Sequence, residues 1–177
     1  MMEGFIRFIT SNNRVARELR SRLVFKIIPF LNVDGVLVGN YRVSMAGSDL
    51  NRRYQSPHPK LHPIVCAVKK LIKEERNQIL SFIDMHGHSR KKNVFMYGPE
   101  FPIHDNRYLQ MRVIPKLMSE QSEMFRYYSC KFRLQRSKLK TARVVLWREF
   151  NITNCFTLES SFQGFFNHER KTNDFDT

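Results

Sequence analysis

Asp84, His86 and His88 stand at alternating positions directly after the mostly apolar stretch 79–83. In extended backbone, alternate residues share a face, so a carboxylate and two imidazoles project together from one strand end. The end of a strand in an α/β sheet is where such proteins place their chemistry. A second strand-like stretch, Cys155-Phe156-Thr157-Leu158, runs into another carboxylate, Glu159. Arg42 and the pair Arg52-Arg53 lie in loops after other elements. A carboxylate, an imidazole and two guanidinium groups near one sheet edge suit hydrolysis of a substrate that carries its own carboxylate. One Arg grips that carboxylate through paired N–H groups. A second stabilises an oxyanion, and a Glu acts as general base on a metal-bound water. The plainer alternative is a polar strand exit with hydrogen-bonded histidines, a solvated Glu and an Arg in a surface ion pair. Residue types alone leave both open.

The elements that must position these groups follow from periodicity. Residues 2–20 read as one or two amphipathic helices, with Ser11-Asn12-Asn13 as a break and a new cap. Residues 23–29 read as a strand ended by Pro29. Asn32-Val33-Asp34-Gly35-Val36 is a turn cluster, and from residue 31 to about 63 no periodicity is evident. A loop this long that is rich in Asn, Asp and Arg reads as a binding loop. Residues 64–76 form a helix with Ile64, Val65, Val68, Leu71 and Ile72 on its inner stripe. After the 79–86 strand come a basic loop at 89–92 and a strand at 93–98. A helix follows from 108 to about 125, which Pro115 kinks or restarts. Residues 127–134 are ambiguous, 142–147 fit strand or helix, 151–154 are a turn and 155–160 a strand. Strands alternating with helices predict an α/β fold with a largely parallel or mixed sheet.

Whole-chain properties narrow the classes. The 177 residues suffice for one domain with a real core, and no linker tract or internal repeat divides them. The 30 Lys and Arg against 16 acids give +14, which favours an anionic partner: nucleic acid, an anionic membrane or an acidic peptide. Those cations are spread along the chain, which argues against a disordered nucleic-acid arm. Cys66, Cys130 and Cys155 form no CxxC pair, so a cysteine zinc site is not expected, and reduced intracellular thiols are the simplest account. Glu3 and Arg7 interrupt the first apolar stretch, making it a poor signal peptide. No apolar run reaches spanning length, so no membrane span is expected.

The order of the pieces is more specific than any one of them. LVFKIIPFLNVDG (23–35), GNYR (39–42), GSDLNR (47–52), FIDMHGHSRKKN (82–93), TARVVLWRE (141–149) and FTLESSFQG (156–164) together resemble the cytosolic carboxypeptidases, a branch of the zinc metallocarboxypeptidases. The resemblance runs from the first helix to about Gly164. It implies a metallocarboxypeptidase-like α/β fold with a mixed central sheet flanked by helices, a catalytic domain over 1–164, and a polar, frayed tail over 165–177. It implies Zn2+ as cofactor, with His86 as one zinc ligand. Glu159 matches the general base and Arg42 the arginine that stabilises the tetrahedral intermediate. Asn51 and Arg52 match the pair that holds the substrate's terminal carboxylate. Arg143 is a candidate for reading an acidic side chain. Asp49 matches a carboxylate that orients a zinc-ligand histidine, and His88 reads as a supporting or structural histidine. Members of this branch trim C-terminal glutamates from acidic protein tails, including tubulin. The resemblance therefore implies deglutamylation, acidic C-termini as partners, and a cytoplasmic, cytoskeleton-associated location. No specific nucleic acid and no membrane are expected as partners.

The departures are informative. The family draws two further zinc ligands from an H-x-x-E segment shortly before its first helix, and residues 1–5 here match that helix. His58, His62, His104 and His168 have no Glu three positions on. Asp84 and His88 are too close along one strand to be expected to converge with His86 on a single ion. The family's NPDG turn appears as Asn32-Val33-Asp34-Gly35, and the chain after Gly164 is short. The expectation is a fold incomplete at its N-terminus and its C-terminal end, belonging to a longer domain. The competing reading is a short module that binds acidic tails without cleaving them.

Overall fold

A computed structural model describes residues 1–166 and the strand Thr172–Asn173. At its centre β1 (Phe82–His88) runs parallel to β3 (Cys155–Ser161), and β2 (Val94–Tyr97) lies antiparallel on the other side of β3. A parallel pair needs a long crossover. Here it includes β2, α5 (Arg107–Gln121) and α6 (Ala142–Phe150). Before the sheet come α1 (Met2–Thr10), α2 (Arg14–Arg22), α3 (Val33–Val38) and α4 (Pro63–Glu75). The mixed α/β architecture with flanking helices is the one expected.

Register decides what each face of the sheet carries. Residues paired across strands project to the same side. Phe82 with Cys155, then Asp84 with Thr157 and Tyr97, then His86 with Glu159 and Phe95 line one side. Along that side the chain passes from apolar to ionisable. The apolar end is closed: Phe82 and Cys155 pack with Val65, Val68 and Ile72 of α4 and with Ala142, Val145 and Leu146 of α6. The opposite side is apolar throughout its centre, where Met85, Met96, Phe156 and Leu158 pack with Ile114 and Met118 of α5. One face of the sheet thus anchors the strands, and the other holds the chemistry.

Most elements form where periodicity places them. The Asn13 side chain accepts from the Val15 N–H at 2.8 Å and starts α2 after the break at Ser11. Residues 142–147 are helical, and Asn151 in a left-handed conformation closes α6. Pro115 lies buried inside α5, which runs as one helix, so of the two outcomes expected there the restart is excluded. Three expectations need correction. The strand expected from residue 79 begins at Phe82. The 32–36 turn is the start of a helix: the Asn32 side chain accepts from the Gly35 N–H at 3.2 Å and donates to the Val43 carbonyl at 3.1 Å. Residues 23–29 form no strand. Their alternation is real, with Val24 86% exposed between half-buried Leu23 and Phe25, but among the described residues no neighbouring segment supplies the ladder that defines a strand.

The two edges of the sheet differ. The outer edge of β2 is covered by residues 124–131, whose backbone exchanges hydrogen bonds with Val94 and Met96 at 2.8–3.0 Å. Among the described residues, no strand lies on the outer edge of β1. The expected frayed tail falls mostly outside the described residues. Within them, β4 (Phe165–Phe166) pairs antiparallel with β5 (Thr172–Asn173).

Candidate active site

The site is built around the His86–Glu159 pair, which sits in direct register on the parallel strands β1 and β3. Two rungs earlier Asp84 projects from the same side, and its Oδ2 accepts from His86 Nε2 at 2.8 Å. The two side chains meet because a short carboxylate can lean along the strand toward the next same-side side chain, yet among the described residues Asp84, His86 and His88 form no three-ligand cluster. Burial alone would lower the His86 pKa. The hydrogen bond and charge of Asp84, helped by the charge of Glu159, outweigh burial and raise it. Glu159 is also raised: burial dominates over the pull of His86, His88 and Lys138. A carboxylate held above its usual range accepts a proton more readily, which suits a general base.

Asn51 ties this pair to the helices. It lies in the 3-10 turn Leu50–Arg52, which Asp49 initiates by accepting from the Asn51 N–H at 2.9 Å. Its side-chain Nδ2 donates to Asp84 Oδ2 at 3.1 Å and lies 3.1 Å from His86 Nε2. Its Oδ1 accepts from the Ala142 N–H at 2.8 Å, satisfying one of the free donors at the start of α6. Both ends of the amide are therefore engaged within the chain. Arg52, its sequence neighbour, uses one guanidinium nitrogen on the Asn51 carbonyl at 3.0 Å and lines an open cavity.

The remaining expected residues fall into two groups. Arg42 stands half-exposed at the rim, 3.7 Å from Asp49 and over the ring of Tyr41. Asp49 thus touches the Asn51 backbone and Arg42 rather than His86. Arg143, in the first turn of α6, is only 5% exposed, and its guanidinium bonds the Gly98 carbonyl. It forms part of the floor, where its charge is felt by Tyr97. The His88 ring is engaged by the loop that follows it and by Phe95. Its Nδ1 accepts from the N–H groups of Arg90 and Lys91 at 3.1 and 3.0 Å, and its ring meets Phe95 edge-on.

Two groups that sequence reasoning did not single out belong here. Tyr97 shares the Asp84 rung, and burial with the charge of Glu159 raises its phenol. Lys138 is lowered by burial and by the charges of Arg52, Arg42 and Arg143, while Glu159 pulls it up. The available signal for Lys138 was the basic run Arg136-Ser137-Lys138-Leu139-Lys140 immediately before the helix that carries Arg143.

The fold is that of the metallocarboxypeptidases. It superposes on a metallo-carboxypeptidase from Burkholderia cenocepacia with a TM-score of 0.79 and 27% identity, covering 92% of this chain and 43% of that one. It also matches a Pseudomonas aeruginosa metallo-carboxypeptidase solved with (2-guanidinoethylmercapto)succinic acid. There the TM-score is 0.76 at 25% identity, over 97% of this chain and 45% of that one. By sequence, the chain is similar over its own length to the cytosolic carboxypeptidases. It is 43% identical to cytosolic carboxypeptidase 2 of Danio rerio over 100% of its length and 41% identical to cytosolic carboxypeptidase 1 of Mus musculus over 93%. It spans 25% and 15% of those two proteins. No family model matches the chain.

Proposed function

We propose that this chain is part of a carboxypeptidase that hydrolyses C-terminal residues, glutamate in particular, from acidic protein tails of the tubulin kind. The observation that carries the reading is the direct registration of Glu159 beside His86, with Arg42 and Arg52 beyond it. In this arrangement Glu159 takes a proton from the attacking water and returns it to the leaving amine. Arg42 neutralises the oxyanion of the tetrahedral intermediate. Arg52 holds the terminal carboxylate through its free N–H groups. The names of the relatives support a cytoplasmic location, and a tubulin substrate would add cytoskeletal association.

The solved neighbours are named metallo-carboxypeptidases, which implies a metal, zinc in the reading from sequence. The donor set here does not fit a complete centre. Catalytic zinc takes three protein ligands, His86 Nε2 is on Asp84, and no group of three His, Cys, Asp or Glu able to hold an ion exists among the described residues. The expected zinc content of the 177-residue chain is well below one equivalent after dialysis, and one equivalent with peptidase activity would overturn this reading of the site.

A second reading is favoured by that same incomplete donor set: a module that binds acidic tails without cutting them. The two are separated with glutamate-ended peptides. Hydrolysis that Glu159→Gln abolishes while peptide binding survives supports the enzyme. Binding that requires Arg52, falls with salt and never yields free glutamate supports the module.

A further inference from the structure

Beside Arg52 lies an open cavity of about 500 Å3 whose wall includes Arg136, Ser137, Lys140, Arg148 and Glu149. A smaller recess of about 80 Å3 shares Arg52 and Lys140 with it and adds Arg53. The one acid of the larger wall, Glu149, is already paired with Lys69 at 2.7 Å. Among the described residues Arg52, Arg136, Lys140 and Arg148 form no ion pair. Arg148 only overlies the Trp147 ring, at 5.5 Å. Four cations around one concavity repel each other, and a concave wall concentrates their field on whatever enters it. The volume falls in the range of small-molecule sites.

The charge is too dense for an extended acidic peptide to match. Side chains of an extended chain alternate, at roughly 3.3 Å per residue, so carboxylates on one side recur only every ~6.6 Å. Three of them would overrun a cavity of this size. Phosphate groups carry about −1.5 to −2 each and can be linked directly, so two or three meet the four cations within one small volume. Guanidinium forks suit phosphate oxygens, and the Ser137 hydroxyl adds a neutral donor.

We propose that this cavity binds a small anion bearing clustered phosphate groups, held by Arg52, Arg136, Lys140 and Arg148. The site shares Arg52 with the proposed grip on the terminal carboxylate, so anion and peptide terminus compete for that guanidinium, but binding in the cavity requires no turnover and is read separately from hydrolysis.

The test is calorimetric titration of the purified protein with inorganic triphosphate at about 0.15 M salt. Saturable binding is expected. Arg136→Gln with Arg148→Gln should weaken it by about tenfold or more, as losing two charge-assisted contacts requires. Lys60→Gln with Lys73→Gln, an equal loss of charge elsewhere, should leave it unchanged. Arg136→Lys keeps the charge but not the fork, and should weaken binding by a smaller factor, with circular dichroism confirming the fold of every variant. Adenosine triphosphate should bind about as well as inorganic triphosphate, so that the phosphates alone are read. The proposal is overturned by absence of saturable binding, or by equal losses in the control variant. It is also overturned by a nucleotide far tighter than triphosphate, or by an oligoglutamate peptide or an RNA oligonucleotide outcompeting triphosphate at the same salt.

Discussion

At the scale of single residues, the contact between Asp84 and His86 is the most exposed to test. The folded chain holds His86 above its free pKa. Protonation therefore favours the folded state. The contribution is complete below the free imidazole value and is lost as pH rises through the higher folded value. Asp84→Asn removes the charge that causes this. Urea unfolding should show a larger loss of stability near pH 5.5 than near pH 8, on either side of the ordinary imidazole value of about 6.5. An equal loss at both would contradict the pairing. The thiols offer a second check. Burial pushes Cys130 up to about 11 and Cys155 further in the same direction. Native protein treated with iodoacetamide near pH 8 should leave both unlabelled, because the thiolate is the reactive form. Labelling of either at the rate of the unfolded chain would contradict their burial. His86 and Glu159 were legible in sequence because each ends an apolar run, and strand periodicity alone puts such residues on a sheet margin. Lys138 and Tyr97 were not: Lys138 reaches the site through a loop path, and Tyr97 through its register with β3.

At the scale of elements, closeness of approach explains which positions tolerate change. A Cβ on Gly35 would lie 2.1 Å from Asn32 Nδ2 and 2.7 Å from the Val43 carbonyl oxygen. Asn32 could no longer bridge the start of α3 to residue 43, so Gly35→Ala should cost about 1–3 kcal/mol in denaturant unfolding. Gly4 in α1 meets nothing within 4 Å, and Gly4→Ala should be neutral or slightly stabilising. Phe156 is fully buried between β3 and α5, so Phe156→Ala should cost about 3–5 kcal/mol. A smaller loss would mean that the α5 face closes over the gap. Helices α1, α2 and α4 were readable from caps and stripes because a helix satisfies its own backbone. Residues 23–29 carry an equally clear strand pattern and form none. A strand is a property of two chain segments, and the pattern reports only one of them.

For the whole molecule, the net charge of +14 makes association with acidic partners depend on salt. Affinity for a glutamate-ended peptide should fall steadily between low and physiological ionic strength, where the screening length shortens to about 8 Å. An affinity indifferent to salt would mean that the basic balance plays no part in recognition. The mixed α/β class was legible from alternating element types. The two-sided division of labour in the sheet was not, because it depends on register. That division gives the uncovered edge of β1 a particular meaning. Among the described residues no strand pairs with that edge, and a segment that hydrogen-bonded there would be held in a fixed register against Asp84 and His86. Every second side chain of the newcomer would then point to the same side as that pair. Backbone pairing at such an edge, with no side-chain recognition, would deliver chosen positions of an added strand to the flank of the histidine.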